Sequence, residues 1–284
     1  MTRISLTADG SPRFTGSETT LDTVLFDVDD TLFDHSRALR TAMRRVREVY
    51  PDLHRQTLTD LCRHYSDHLT ATYRRVVMGS MNQEEGRTVR FLALFKSCGA
   101  EPNRNVAQEC AQIYREKYQE SRYPVDGAPA LLRALRAGGL TIGLVTNNTR
   151  AEQNEKLEAI GLRRSIDFMM TAQEVRIHKP DPRIFQRALE RGDTTPGRAV
   201  MVGDSWDSDV LGASAAGIRA VWLNRANRES PDPSLATELR SLRPMRRAKQ
   251  CVVTGRVLGG IGPDKSDARS ERSSGKPLPD RNRR

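Results

Sequence analysis

Cysteine is scarce in this chain and follows no pattern. Cys62, Cys98, Cys110 and Cys251 form no Cys-x-x-Cys pair and match neither a zinc-site spacing nor a disulfide framework. They read as free structural thiols in a reducing, cytoplasmic setting. Long apolar runs are missing too. Nothing approaches the ~18 consecutive apolar residues of a membrane-spanning helix, so no membrane partner is expected. Residues 1–20 are polar, lack the apolar stretch of a signal peptide and are expected to be flexible.

Positive charge is plentiful but unevenly placed. The formal net charge of the 284 residues is +10. From Arg240 to Arg284, 13 Lys and Arg stand against 4 Asp and Glu, a net +9, which leaves 33 against 32 for the rest. A basic chain invites a nucleic-acid or membrane reading. Here the excess sits in the tail, so nucleic acid is expected as a partner only through that tail.

The length suits one large domain or a domain with an insertion. Residues 21–35 hold a short β-prone run, Thr23 to Phe26, and its loop. From Ser36 the character changes, with helices expected over Ser36–Tyr50, Leu53–Met78, Glu84–Ser97 and Asn103–Glu120. Leu58, Leu61, Cys62, Tyr65 and Leu69 illustrate their three- and four-residue spacing. After residue 122 strands and helices alternate up to Leu223, which implies βαβ units and a parallel sheet. The expected architecture is an α/β, Rossmann-like parallel-sheet core (21–35 and 122–226) with an inserted all-helical segment (36–121). Residues 227–284 form a C-terminal extension. In it Ser234–Leu242 reads as a helix, Cys251–Leu258 as a possible short strand, and the chain beyond 243 as disordered.

The chemistry gathers at strand ends. Asp27 and Asp29 stand two apart after the first strand, which on an extended backbone aims both the same way. Paired carboxylates suit a nucleophile and a general acid/base, with a cation offsetting their repulsion. Asp-Asp-Thr is also good turn chemistry, so this stretch alone decides nothing. Thr146-Asn147-Asn148 follows the strand Thr141–Val145. A hydroxyl there can hold a phosphate oxygen, or simply cap the next helix. Lys179-Pro180-Asp181-Pro182 stiffens a helix entry around a point charge that can stabilise a phosphoryl group. Gly203-Asp204, then Asp209 early in the next helix, supply hard oxygen ligands suited to Mg²⁺. Arg74, Arg75, Arg87 and Arg90 can meet an anionic part of a ligand or remain solvated helix charges. His64 and His68, four apart, have no evident third metal ligand.

Together, in this order, these segments resemble the haloacid dehalogenase-like (HAD) hydrolase superfamily over roughly residues 21–226. The resemblance implies that Asp27 is a nucleophile forming an aspartyl-phosphate and Asp29 the general acid/base. It assigns Thr146, Asn147 and Lys179 to the substrate's phosphoryl group. Mg²⁺ falls to Asp27, the main-chain carbonyl of Asp29, Asp204 and Asp209. The helical segment 36–121 resembles the C1-type cap of subfamily I. A looser similarity, in the Asp27–Asp34 and Ala220–Asn224 stretches, is to pyrimidine 5′-nucleotidases and N-acylneuraminate-9-phosphatases. It implies a phosphatase acting on a small phosphorylated metabolite, a nucleoside monophosphate or a sugar phosphate. Asp29 argues against dehalogenation, since haloacid dehalogenases lack an acid/base at that position. A phosphomutase, or a non-catalytic interaction protein with a nucleic-acid-binding basic tail, are the alternatives.

Overall fold

A computed structural model of the chain describes residues 4–6, 12–14 and 20–256. In chain order the elements are β1 (Ile4–Leu6), β2 (Pro12–Phe14), β3 (Thr23–Phe26), α1 (His35–Val49), α2 (Leu58–Val77), α3 (Gln83–Ser97) and α4 (Arg104–Glu120). They continue with α5 (Ala128–Arg136), β4 (Thr141–Thr146), α6 (Arg150–Ala159), β5 (Phe168–Thr171), α7 (Ala172–Val175), α8 (Pro182–Arg191) and β6 (Ala199–Gly203). A wide π-type turn (Trp206–Leu211), α9 (Gly212–Ala215), β7 (Arg219–Leu223), β8 (Ala236–Leu239) and α10 (Met245–Thr254) complete the described chain.

Six strands form one sheet in the order β5-β4-β3-β6-β7-β8, every neighbouring pair parallel. Strand β3 is central because it is apolar on both faces: Val24, Leu25 and Phe26 are all fully buried. A strand with no polar face cannot lie at an edge in water, and helices cover a parallel sheet on both sides. The fold is thus the α/β, Rossmann-like architecture that the strand–helix alternation implied.

Helices α1–α4 lie between β3 and α5 in sequence and pack on one another, α1 against α4 and α2, and α3 against α2 and α4. Each has a side-chain cap: Asp34, Thr57, Asn82 and Asn103 accept from the backbone N–H three residues on. Helix α1 buries Ala38, Leu39, Ala42, Met43 and Val46, one stripe at helical spacing. The helix expected from Leu53 starts later, at Leu58, because Thr57 caps it and residues 51–55 make a separate 3₁₀ turn. Two neighbouring chain passages join these helices to the sheet. The Asp34 N–H donates to Tyr123 O at 3.0 Å, and the Val125 N–H to Leu32 O at 2.8 Å.

Three expectations about the ends need correction. Within the N-terminal segment expected to be flexible, β1 and β2 pair antiparallel. Each is three residues long, too short for a hydrophobic period to register. Ser234–Leu242 is not helical: β8 adds to the sheet beside β7, with Ala220 opposite Ala236. Leu235, Leu239 and Leu242 have helical spacing, but the open backbone edge of β7 overrides so weak a local preference. Nor is the chain disordered or extended directly after residue 243, because α10 runs to Thr254. It buries Ala248, Cys251 and Val252 against α5, β6 and β8. The basic composition of the tail as a whole masked that apolar stripe. The disorder expected after residue 256 falls outside the described residues.

Candidate active site

Asp27, Asp29, Thr146, Asn147 and Asp204 are delivered by the C-terminal end of a strand or the loop after it, the edge where open parallel sheets bind ligands, and Lys179 and Asp209 reach the same edge from just before α8 and from the π-type turn. Asp27 follows β3, and its N–H donates to Val202 O on β6 at 3.0 Å. Thr146 closes β4, Gly203 closes β6, and Asp204 follows. Lys179 lies just ahead of α8, whose N-cap is Asp181.

Lys179 holds two of the carboxylates. Its buried Nζ lies 2.6 Å from Asp27 Oδ1 and 2.6 Å from Asp209 Oδ1. Burial opposes the charge on Lys179, but Asp209 and Asp27 outweigh it and hold the ammonium protonated beyond its usual range. Asn147, expected to meet substrate, spends its amide on this lysine's main chain. Its Oδ1 accepts the Lys179 N–H at 2.6 Å, and its Nδ2 donates to Lys179 O at 3.0 Å. The loop thereby satisfies backbone groups that no ladder pairs, which fixes the direction of Lys179.

Asp209 arrives by way of the π-type turn, a local widening frequent at functional sites. Its Oδ2 accepts the Ser205 N–H at 3.0 Å. This close approach requires glycine at 203, since a Cβ there would collide with the Asp209 carboxyl group. The main-chain carbonyl of Asp204 is fixed by Trp222 Nε1 at 2.9 Å and by an Arg228 Nη at 3.1 Å.

Asp27, Asp204 and Asp209 each offer a carboxylate oxygen within 4.8 Å of the others. Burial, then Asp27, Asp209 and Asp30, push the Asp204 carboxyl up to about 8. Burial also pushes Asp27 up, to about 7; Lys179 opposes the rise, while Asp209 and Asp29 add to it. Among the described residues the Asp204 carboxylate meets only Thr31 Oγ1, at 3.5 Å. A half-buried carboxylate crowded by others and left so open fits a hard divalent cation such as Mg²⁺. The Asp29 side chain does not join this cluster.

Asp29 belongs to a second arrangement, built by residues the sequence did not single out. Lys156 Nζ lies 2.6 Å from Asp29 Oδ1. Gln153 Nε2 donates to Asp29 Oδ2 at 3.0 Å and to Thr146 Oγ1 at 2.9 Å. The Asn148 N–H also donates to Thr146 Oγ1, at 3.2 Å, so the Thr146 hydroxyl proton is left for a ligand. Burial raises the pKa of Asp29, but Lys156 and His35 overcome it and hold its carboxyl at about 2. The signal for Gln153 and Lys156 was the polarity of α6. The helix lies over the strand ends and buries Glu152, Gln153 and Lys156 beside Leu157.

Two cavities meet here. One, of about 260 Å³, opens over Asp27, Thr146, Lys179, Asp204 and Asp209. The other, of about 220 Å³, is walled by side chains of α2, α3 and α4. Both are lined by Asp29 and Tyr73.

The profile of the haloacid dehalogenase-like hydrolases matches residues 24–223. The chain belongs to this family. It is 31% identical over 218 residues to the pyrimidine 5′-nucleotidase YjjG of Escherichia coli, a match covering 74% of this chain and 89% of that protein. It is 30% identical over 220 residues to the N-acylneuraminate-9-phosphatase of Mus musculus, covering 72% and 83%. Among solved structures, the magnesium-bound HAD-hydrolase YfnB of Bacillus subtilis superposes with a TM-score of 0.64 at 26% identity, covering 81% of this chain and 99% of that one. Among the described residues no helix is long and apolar enough to cross a membrane.

Proposed function

We propose that the chain is a Mg²⁺-dependent phosphatase that hydrolyses a small phosphate monoester through an aspartyl-phosphate on Asp27. The observation that carries this reading is the pairing of Asp27 with Lys179 inside a carboxylate cluster, with Asp29 two residues on at the next cavity. The likeness to a nucleotidase and to a sugar-phosphate phosphatase supports the same reaction type. It favours a nucleoside monophosphate or a sugar phosphate.

In this reading an Asp27 carboxylate oxygen attacks phosphorus, and the bond to the leaving-group oxygen breaks. Asp29, as the carboxylic acid, gives its proton to that oxygen. The Asp29 carboxylate then takes a proton from water, whose oxygen bonds to phosphorus as the bond to Asp27 breaks. Inorganic phosphate leaves and Asp27 is restored. Lys179 offers its remaining N–H, and Thr146 its hydroxyl proton, to phosphoryl oxygens where charge develops. Asp27, Asp204, Asp209 and the Asp29 main-chain carbonyl would hold Mg²⁺, which when bound would supply positive charge to offset that on the phosphoryl group.

Lys156 and His35 hold the Asp29 carboxyl low in the free site, which favours the ionised form that the base step needs. Its acid step requires a proton taken up with the ester, whose phosphoryl charge raises a neighbouring carboxyl's pKa. The test is phosphate release from a panel of monoesters with and without Mg²⁺. Metal-dependent release by the native chain, lost at least about 1,000-fold in Asp27→Asn, is expected. Release that survives Asp27→Asn would remove the covalent mechanism.

A further inference from the structure

The cavity beside Asp29 holds more positive charge than its own carboxylates balance. Lys156, Arg87, Arg90 and Arg115 line it against Asp29 and Glu152. Lys156 is committed to Asp29, and Arg115 to Glu152 at 3.0 Å and Glu155 at 2.8 Å. Arg87 and Arg90 reach no carboxylate among the described residues. Arg90 is buried, and its Nε donates to Gly86 O at 2.9 Å and one Nη to Tyr65 Oη at 3.3 Å. Arg87, one helical turn earlier, has only Gln83 Oε1, at 3.4 Å. Burial, with Arg115 and Arg90 alongside, depresses the Arg87 pKa by more than Tyr65 and Glu152 raise it. By contrast Arg74 and Arg75, on α2, are exposed.

A guanidinium buried, as in Arg90, or half-buried, as in Arg87, without a counter-charge is costly, and an anionic ligand offsets that cost. Its planar fork suits a carboxylate or a phosphate. The cavity's 220 Å³ lies below the ~300–1,000 Å³ usual for drug-sized ligands. It adjoins the phosphoryl site at Asp29, which is the direction in which the leaving group of an ester held there extends.

The geometry points to a phosphate monoester whose small leaving group carries its own carboxylate, received by Arg87 and Arg90. This rests on the phosphatase reading of the adjoining site and departs from its substrate classes only in setting the nucleoside monophosphate aside for a small carboxylated ester. The cation surplus selects esters by the charge on the alcohol, whereas Asp27, Asp29 and Lys179 handle the phosphoryl group.

The test compares kcat/KM for matched pairs with Mg²⁺ present: phosphoglycolate against ethyl phosphate, and 3-phosphoglycerate against glycerol 1-phosphate. Propane-1,3-diol bisphosphate and uridine monophosphate complete the panel. The carboxylated member of each pair is expected to win by at least about tenfold, the worth of a charge-assisted bond. That ratio should fall towards one in Arg90→Gln and in Arg87→Gln. Arg87 is half-exposed, so the second variant keeps the test usable if the first fails to fold. Hydrolysis with a ratio near one in the native chain overturns this inference and leaves the phosphatase reading standing. So does a native ratio that both variants retain. Preference for the bisphosphate moves the assignment to a second phosphoryl group, and preference for the nucleotide removes it. No metal-dependent release from any ester overturns the phosphatase reading, and this inference with it.

Discussion

Lys156 and Asp29 form an ion pair of 2.6 Å in which the lysine side chain is 3% exposed and the carboxylate 30%. That asymmetry orders two substitutions. Asp29→Asn strands a buried ammonium, and breaking a buried pair in this way costs about 3–5 kcal/mol. Lys156→Met strands a carboxylate that still touches water and Gln153, so it costs less. Urea unfolding at pH 7 checks the order, and equal or reversed losses would sink it. The pH dependence has a definite sign. A depressed carboxyl pKa contributes stability that is present above its ordinary 3.8 and lost as pH falls towards about 2. The stability gap between the native chain and Lys156→Met should therefore narrow below pH 3.8.

The acid cluster has the opposite sign. Asp204 and Asp27 are raised to about 8 and about 7, so the stability tied to their protonation is complete below 3.8 and lost as pH rises through those values. Metal-free protein should lose stability from pH 5 to pH 8 on this account. Mg²⁺ binds the ionised carboxylates, so it should raise Tm more at pH 8 than at pH 5. Asp204→Asn should raise the Tm of metal-free protein at pH 8 and remove most of the gain from Mg²⁺. Thermal unfolding with and without the ion decides it; a larger Mg²⁺ gain at pH 5 would count against the cluster as the metal site.

What the sequence made legible follows from where its chemistry sits. Asp27, Thr146 and Asp204 stand at or just after the ends of short apolar strands, and the parallel sheet brings those ends together. Lys179 and Asp209 could be placed because each lies within a few residues of a proline- or glycine-marked helix start. Gln153 and Lys156 were not legible, and Arg90, named among four helix arginines, could not be told apart from a solvated charge. They lie inside helices whose charges look like solvated faces until neighbouring helices cover them. Burial of a polar residue is a tertiary property, and no local period records it. Strand β8 was lost for a related reason, since its pairing depends on the free edge of β7 rather than on its own residues.

Gly203 makes a prediction at one methyl group. Its missing Cβ is the space occupied by the Asp209 carboxyl, which receives Lys179 on one oxygen and the Ser205 N–H on the other. Gly203→Ala should displace Asp209, free Lys179 from one of its two anchors, and lower kcat by at least about tenfold. Overpacking of this kind costs about 1–3 kcal/mol, so the variant should still fold. Phosphate release, with far-UV circular dichroism as the control, tests this. An unimpaired variant would mean that Asp209 does not position the lysine.

Helix α10 separates two properties that the basic tail confounds. Ala248, Cys251 and Val252 are fully buried, and an Arg219 Nη donates to Val252 O at 2.8 Å. Burying a valine side chain alone is worth about 1.5–3 kcal/mol. A chain ending at residue 244 also uncovers part of β6, the strand that leads into Gly203 and Asp204. That truncation should lower stability by several kcal/mol, read as a lower urea midpoint at unchanged slope, and weaken turnover through the loosened strand. Arg246 and Arg247 are exposed on the same helix, so changing both to Gln should move stability by no more than about 0.5 kcal/mol each. If the truncated chain unfolds at the same urea concentration as the full one, α10 contributes nothing to the core. If the Gln variant falls as far as the truncation, the charges rather than the apolar stripe hold the helix in place.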